Sequence, residues 1–213
     1  MKAYVFDLDG TLLDSMNIWE QIDVEFLKKR GFDVPPDYID ALSSKSFPEA
    51  AEYTIKRFRL KDSVDELLHE WQAMAVYAYG NTIALKPNAG EYLLALKSKG
   101  AKLGIATSLP PSLYSPALNN HGIENLFDAV CSTDEVEHGK THPDIFYLIA
   151  RKLGVSPSGC VMFEDVLQAV QSAKSAGMTV YGVYDESSKD HWEQIKQTAD
   201  GTFCDFKDAP LPV

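Results

Sequence analysis

Acidic side chains stand in pairs at two points of this 213-residue chain, each pair directly after a short apolar run. Asp7 and Asp9 follow Ala3-Tyr4-Val5-Phe6, and Glu164 and Asp165 follow Cys160-Val161-Met162-Phe163. A hydroxyl pair, Thr107-Ser108, follows Lys102-Leu103-Gly104-Ile105-Ala106. Lys140 comes after Asp128-Ala129-Val130-Cys131, within His138-Gly139-Lys140-Thr141-His142-Pro143-Asp144. If the apolar runs are neighbouring strands, four carboxylates, two hydroxyls and an ammonium converge on one edge. Carboxylates that close cannot all stay ionised without a cation, and hard oxygen donors select Mg²⁺. The Asp7-x-Asp9 spacing leaves the two acids inequivalent, one able to attack and the other to exchange protons. A carboxylate that attacks phosphorus forms an aspartyl-phosphate, which water then cleaves. Loop hydroxyls, backbone N–H groups and Lys140 would stabilise the transferring phosphoryl oxygens. Each element alone is ambiguous. Asp-x-Asp-Gly also occurs in turns and calcium loops, although no EF-hand ligands follow it here. Glu164-Asp165 can equally open a helix, where acids suit the dipole. Only the shared placement at strand ends selects phosphoryl transfer.

Strands and helices must hold these groups in place. A further apolar run at 179–183 joins the four above. Between the runs lie amphipathic stretches of helical length at 88–99, 111–120, 143–153, 166–176 and 190–198. Gly100, Gly122, Gly154 and Gly177 stand just past the first four, where helix C-caps belong. This alternation predicts an α/β fold with a doubly wound, Rossmann-like parallel sheet, whose ligands bind beyond the carboxyl ends of the strands. Residues 15–86 break the rhythm, with helical spacing at 19–29, 47–58 and 64–79, Pro35-Pro36 as a breaker, and no strand. They read as an all-helical cap inserted after the first strand, leaving 1–14 and 87–213 as the core domain. The cap holds 10 of the 23 aromatic residues. Bundle packing accounts for most of them, with one or two expected along a substrate cleft.

Composition bounds the partners. The formal charge is −11, a surface that repels nucleic-acid phosphates and anionic membranes. The cap contributes 12 acids against 9 bases and the remainder 19 against 11, so the core carries most of the excess. No apolar run reaches membrane-spanning length and no basic-then-apolar leader begins the chain, so a cytoplasmic protein is expected. Cys131, Cys160 and Cys204 are expected to be buried free thiols in a reducing compartment. His69, His121, His138 and His191 lack metal-ligand spacing and read as surface residues. His142 reads as a loop residue before Pro143.

Taken together, Asp7-Leu8-Asp9-Gly10-Thr11-Leu12-Leu13-Asp14-Ser15, Thr107-Ser108, Lys140-Thr141-His142-Pro143-Asp144-Ile145-Phe146 and Phe163-Glu164-Asp165 resemble the haloacid dehalogenase superfamily. The resemblance is to its branch of small phosphatases and beta-phosphoglucomutase with a helical cap. It implies Asp7 as nucleophile and Asp9 as general acid/base. It implies Mg²⁺ held by Asp7, the Asp9 backbone carbonyl and Asp165, with Glu164 in support, and phosphate held by Thr107, Ser108 and Lys140. The activity it implies is hydrolysis of a small phosphorylated metabolite, such as a sugar phosphate, by a monomer or weak homodimer.

The chain departs from that pattern in four places. Trp19 stands where a histidine linked to the mutase cycle is usual. Phe47 stands near a cap arginine that would meet a second phosphate, with Lys45 close by. An apolar ring cannot compensate a dianion, so both changes favour hydrolysis over a sugar-phosphate mutase. Val166 and Ala169 replace the usual Ser and Gly after Asp165, which removes a supporting hydrogen bond and predicts weaker metal binding or slower turnover. Tyr79-Gly80-Asn81 reads as a cap loop that could touch substrate. Two non-catalytic alternatives remain. One is a phospho-accepting receiver, poorly matched by a nucleophile on the first strand; the other is a binding protein that has lost turnover.

Overall fold

The computed structural model describes residues 2–42 and 45–211. Six strands form one parallel sheet: β1 (Ala3–Phe6), β2 (Lys102–Thr107), β3 (Ala129–Ser132), β4 (Cys160–Glu164), β5 (Thr179–Val183) and β6 (Gly201–Phe203), in the order β3-β2-β1-β4-β5-β6. The register pairs Phe6 with both Ile105 and Phe163, and Thr107 with Ser132, so the ends that carry the polar groups are level. Five strands stand where the apolar runs predict them. β6 is an addition, and three residues, Gly-Thr-Phe, are too few to display a period.

Alternation along the strands gives the sheet two different faces. Ala3, Val5, Ala106, Cys131, Met162 and Val180 point one way and pack against Ile145, Ile149, Val170 and Ile195. Those partners lie on α7 (Asp144–Lys152), α8 (Leu167–Ser175) and α9 (Trp192–Thr198). The intervening residues make an aromatic layer. Phe6 stacks on Phe163 at 4.7 Å, with Tyr92 of α5 (Ala89–Ser98) and Phe206 set against both. Helix α6 (Pro111–Asn120) completes the alternation. The four glycines predicted to end helices all have positive φ.

After β1 come four helices: α1 (Ile18–Lys29), α2 (Tyr38–Leu42), α3 (Phe47–Phe58) and α4 (Val64–Asn81). The molecule is therefore an α/β sheet fold with a helical cap inserted after the first strand. By contacts it divides into a unit of Met1–Met16 with Ile83–Val213 and a unit of Asn17–Thr82. In the helical unit, Ser46 with Glu49 and Ser63 with Glu66 form capping boxes that start α3 and α4, each satisfying backbone donors the helix itself leaves free. The Arg30 guanidinium lies 3.7 Å over the Phe26 ring and donates to Asp62 and Glu70, each at 2.7 Å, tying the end of α1 to α4.

Three expectations are corrected. Cys131 and Cys160 are buried, but Cys204, just after β6, is exposed, because it is Phe203 and Phe206 on either side of it that turn into the core. Tyr79-Gly80-Asn81 is not a loop but the last turn of α4, where Tyr79 is buried and Asn81 donates to the Tyr77 carbonyl at 2.8 Å. His121 is half-buried, with Nε2 2.9 Å from the Ile83 carbonyl. Among the described residues, no helix is long and apolar enough to cross a membrane.

Candidate active site

Asp7 extends the ladder of β1 by one residue, its N–H donating to the Phe163 carbonyl at 3.1 Å. The chain then turns sharply. The N–H groups of Leu12 and Leu13 donate to the Leu8 carbonyl at 2.9 and 2.8 Å, and all three leucines are fully buried. Apolar anchors thus hold a polar loop. Gly10 is required twice over. Its φ is +75°, and a Cβ there would lie 2.3 Å from Asp165 Oδ2, inside any van der Waals contact. The Asp9 carboxylate accepts from the Ser15 hydroxyl at 2.5 Å.

Glu164 ends β4 with both of its oxygens engaged. Oε1 accepts the backbone N–H groups of Asp165 and Val166, each at 3.1 Å, and Oε2 accepts from Lys140 Nζ at 3.0 Å. Lys140 also pairs with Asp7 Oδ1. Asp165 Oδ1 accepts from the Thr11 hydroxyl at 2.8 Å, while its Oδ2 is buried with no hydrogen-bond partner. Carboxylate oxygens of Asp7, Glu164 and Asp165 lie within 4.8 Å of one another.

One half-buried ammonium therefore pairs with two buried carboxyls, Asp7 and Glu164, with a third, Asp165, beside them. Burial pushes the Asp7 carboxyl up to about 7, with Lys140 pulling it down and the charges of Glu164 and Asp9 adding to the rise. Burial also holds Asp165 well above the carboxylate range, reinforced by Glu164 and Asp7. Burial opposes the charge on Lys140, but Asp7 and Glu164 together hold its ammonium above the ordinary lysine value. Uncompensated negative charge and an orphaned carboxylate oxygen are the two conditions that a hard divalent cation relieves. The trio is a metal-site candidate on its donor chemistry.

A cavity of about 450 Å³ opens over this cluster, lined by Asp7, Asp9, Ser108 and Lys140 among others. The structure thus brings together six of the seven residues singled out as site candidates, directly or through the Lys140–Glu164 network. Thr107 is not among the residues that line the cavity. It is buried, and its hydroxyl accepts the Leu109 N–H at 3.1 Å, shaping the loop that presents the exposed Ser108. Met16 and Gln168 also line the cavity and escaped the sequence reading. Gln168, in the first turn of α8 after Asp165, was detectable as a polar side chain at a helix start; Met16 carries no such signal. Val166 is 40% exposed and α8 begins without a side-chain cap, whereas Ala169 is buried. In the helical unit, the rings of Trp19 and Phe47 meet edge to face at 4.9 Å.

The family model for haloacid dehalogenase-like hydrolases matches residues 4–183. A phosphorylated carbohydrates phosphatase of Thermotoga maritima is 29% identical over 184 residues, 86% of this chain and 85% of that protein. Hexitol phosphatase B of Escherichia coli is 26% identical over 83% of this chain and 80% of its own length. Among solved structures, a candidate beta-phosphoglucomutase from Thermotoga maritima superposes with a TM-score of 0.80 at 26% identity, covering 95% of this chain and 94% of that one.

Proposed function

This chain belongs to the haloacid dehalogenase-like hydrolases, and we propose that it is a Mg²⁺-dependent phosphatase of a small phosphorylated metabolite, a sugar or polyol phosphate by analogy with its relatives. The observation that carries the reading is the set of three buried carboxyls, Asp7, Glu164 and Asp165, with Lys140 paired to the first two, at a cavity that Asp9 and Ser108 also line. Asp7, Asp165 and the Asp9 carbonyl would hold Mg²⁺, with Glu164 anchoring Lys140 and the loop before α8. When bound, the ion would neutralise the clustered acids and draw charge from the phosphoryl oxygens.

Asp7 is the nucleophile of this reading. Its carboxylate forms a bond to phosphorus as the P–O bond to the leaving group breaks. Asp9, held by Ser15, gives its proton to the leaving oxygen and then takes one from the water that cleaves the aspartyl-phosphate. Lys140 and Ser108 bind phosphoryl oxygens, and Thr107 shapes the Ser108 loop. Asp9 and Asp7 thus divide proton transfer and nucleophilic attack between two carboxyls in different surroundings.

Phosphate release from p-nitrophenyl phosphate and from a panel of sugar and polyol phosphates, with and without Mg²⁺, tests this. Turnover is expected only with the metal, and Asp7→Asn should lower kcat by a factor on the order of 10⁴ or more. Turnover that survives Asp7→Asn would remove the nucleophile assignment. Conversion of glucose 1-phosphate to glucose 6-phosphate would place the chain with the mutases instead.

A further inference from the structure

The loop after β3 brings two neighbouring side chains, Lys140 and Thr141, to the cavity over the acidic cluster. The Thr141 hydroxyl is tied to its own loop. Its Oγ1 lies 3.2 Å from His142 Nδ1, and the His142 and His138 rings face each other with centroids 4.5 Å apart. His138 Nδ1 lies in turn 2.8 Å from Asp144 Oδ2, at the start of α7. The His142 N–H closes the loop by donating to the Gly139 carbonyl at 3.0 Å. Four side chains therefore run in series from the first turn of α7 to the cavity. We propose that Thr141 is a further phosphate-binding residue of this site, its hydroxyl donating to a phosphoryl oxygen, with His142 as the positioning residue behind it.

The inference rests on the phosphatase reading and extends it by counting donors. Phosphoryl oxygens accept hydrogen bonds, so the site must supply N–H and O–H groups. An ammonium has three protons, and Lys140 directs its own toward Asp7 and Glu164 before any reaches a ligand. Ser108 and Thr141 are the hydroxyls among the described lining residues; Thr107, which accepts the Leu109 N–H, is not one of them. The Gln168 amide also lines the cavity, but it can present either polarity. A hydroxyl has a single proton to give. With the His142 proton on Nδ1, the imidazole donates to Thr141 Oγ1, and the Thr141 proton is left for the ligand. The ring of His138, anchored by Asp144, backs the imidazole in that position.

Calorimetry with inorganic phosphate in the presence of Mg²⁺, and steady-state kinetics on p-nitrophenyl phosphate, test this on the full chain. Thr141 is exposed, so Thr141→Val removes the hydroxyl, keeps the shape and leaves the fold intact. It should weaken phosphate binding about tenfold and raise KM more than it lowers kcat. Thr141→Ser should restore both to within about twofold of the parent. His142→Ala should weaken phosphate severalfold in the parent and add nothing in Thr141→Val, because it acts only through that hydroxyl. Unchanged phosphate affinity in Thr141→Val, or no recovery in Thr141→Ser, would overturn the proposal. Additive losses in the double variant would overturn the part assigned to His142. A parent without Mg²⁺-dependent turnover, whose phosphate binding still falls in Thr141→Val, would sink the phosphatase reading and leave this one standing. A parent that binds no phosphate would sink both.

Discussion

Asp7 in the α/β unit and Asp23 in the helical unit are both carboxyls that burial pushes up to about 7, yet their surroundings differ in kind. Asp7 is paired with an ammonium and crowded by two further buried acids. Asp23 has the neighbouring Glu20 and shares a pocket wall with Trp19, Trp71 and Lys45. Burial is the largest cause in both, but at Asp7 the charges of Lys140, Glu164 and Asp9 act in opposite directions on top of it, whereas at Asp23 the charge that acts on it is that of Glu20. The first arrangement depends on every member, since removing one charge strands the rest. The second tolerates loss of the charge and can even gain from it.

Lys140→Met probes the crowded side most strongly. It leaves Asp7 and Glu164 buried without their shared cation, and broken buried pairs cost roughly 3–5 kcal/mol. The denaturant midpoint should fall accordingly, and an unchanged midpoint would show that the cluster does not act as a unit. Gly10→Ala comes next, at roughly 1–3 kcal/mol for the strained backbone alone, because its Cβ would meet Asp165 Oδ2. Its thermal destabilisation should be accompanied by weaker Mg²⁺ binding in calorimetry; loss of stability with full metal affinity would separate Gly10 from the acidic cluster.

Asp23→Asn tests the other carboxyl and should have the opposite sign. With the folded pKa above the unfolded value of 3.8, the native state keeps a proton that the unfolded chain releases. The stability this carboxyl contributes is present below that unfolded value and is lost as pH rises through about 7. The variant should therefore melt a few degrees above the parent at pH 8, less so at pH 5, and close to it below about pH 4. A difference independent of pH would mean that Asp23 is ionised throughout. Val166→Ser is the smallest change. A hydroxyl at the uncapped start of α8 should add about 0.5–1 kcal/mol, read as a small rise in melting temperature.

The α/β unit was largely legible in the sequence because its signals are local. Apolar runs such as 3–6 and 160–163 end abruptly in acids, and a glycine stands where a helix must turn, so the strands and the edge that carries the polar groups were legible, whereas the order of the strands was not. β6 was not legible, since three residues carry no periodicity. The helical unit yielded only its helices. Its pocket is assembled from α1, α2, α3 and α4, and no spacing rule links Asp23 to Trp71.

What the sequence determined by itself was the chemistry available: carboxylates, hydroxyls and an ammonium at strand ends, because parallel strands deliver their C-terminal residues to one edge. Tertiary structure alone decided how those groups share the work. It turned the Thr107 hydroxyl into the loop and left Ser108 at the cavity. It gave Glu164 to Lys140 and to two backbone donors, and left Asp165 Oδ2 without a partner. Residue type sets what an atom can bind, but only packing in three dimensions determines which partners reach it and which are kept away.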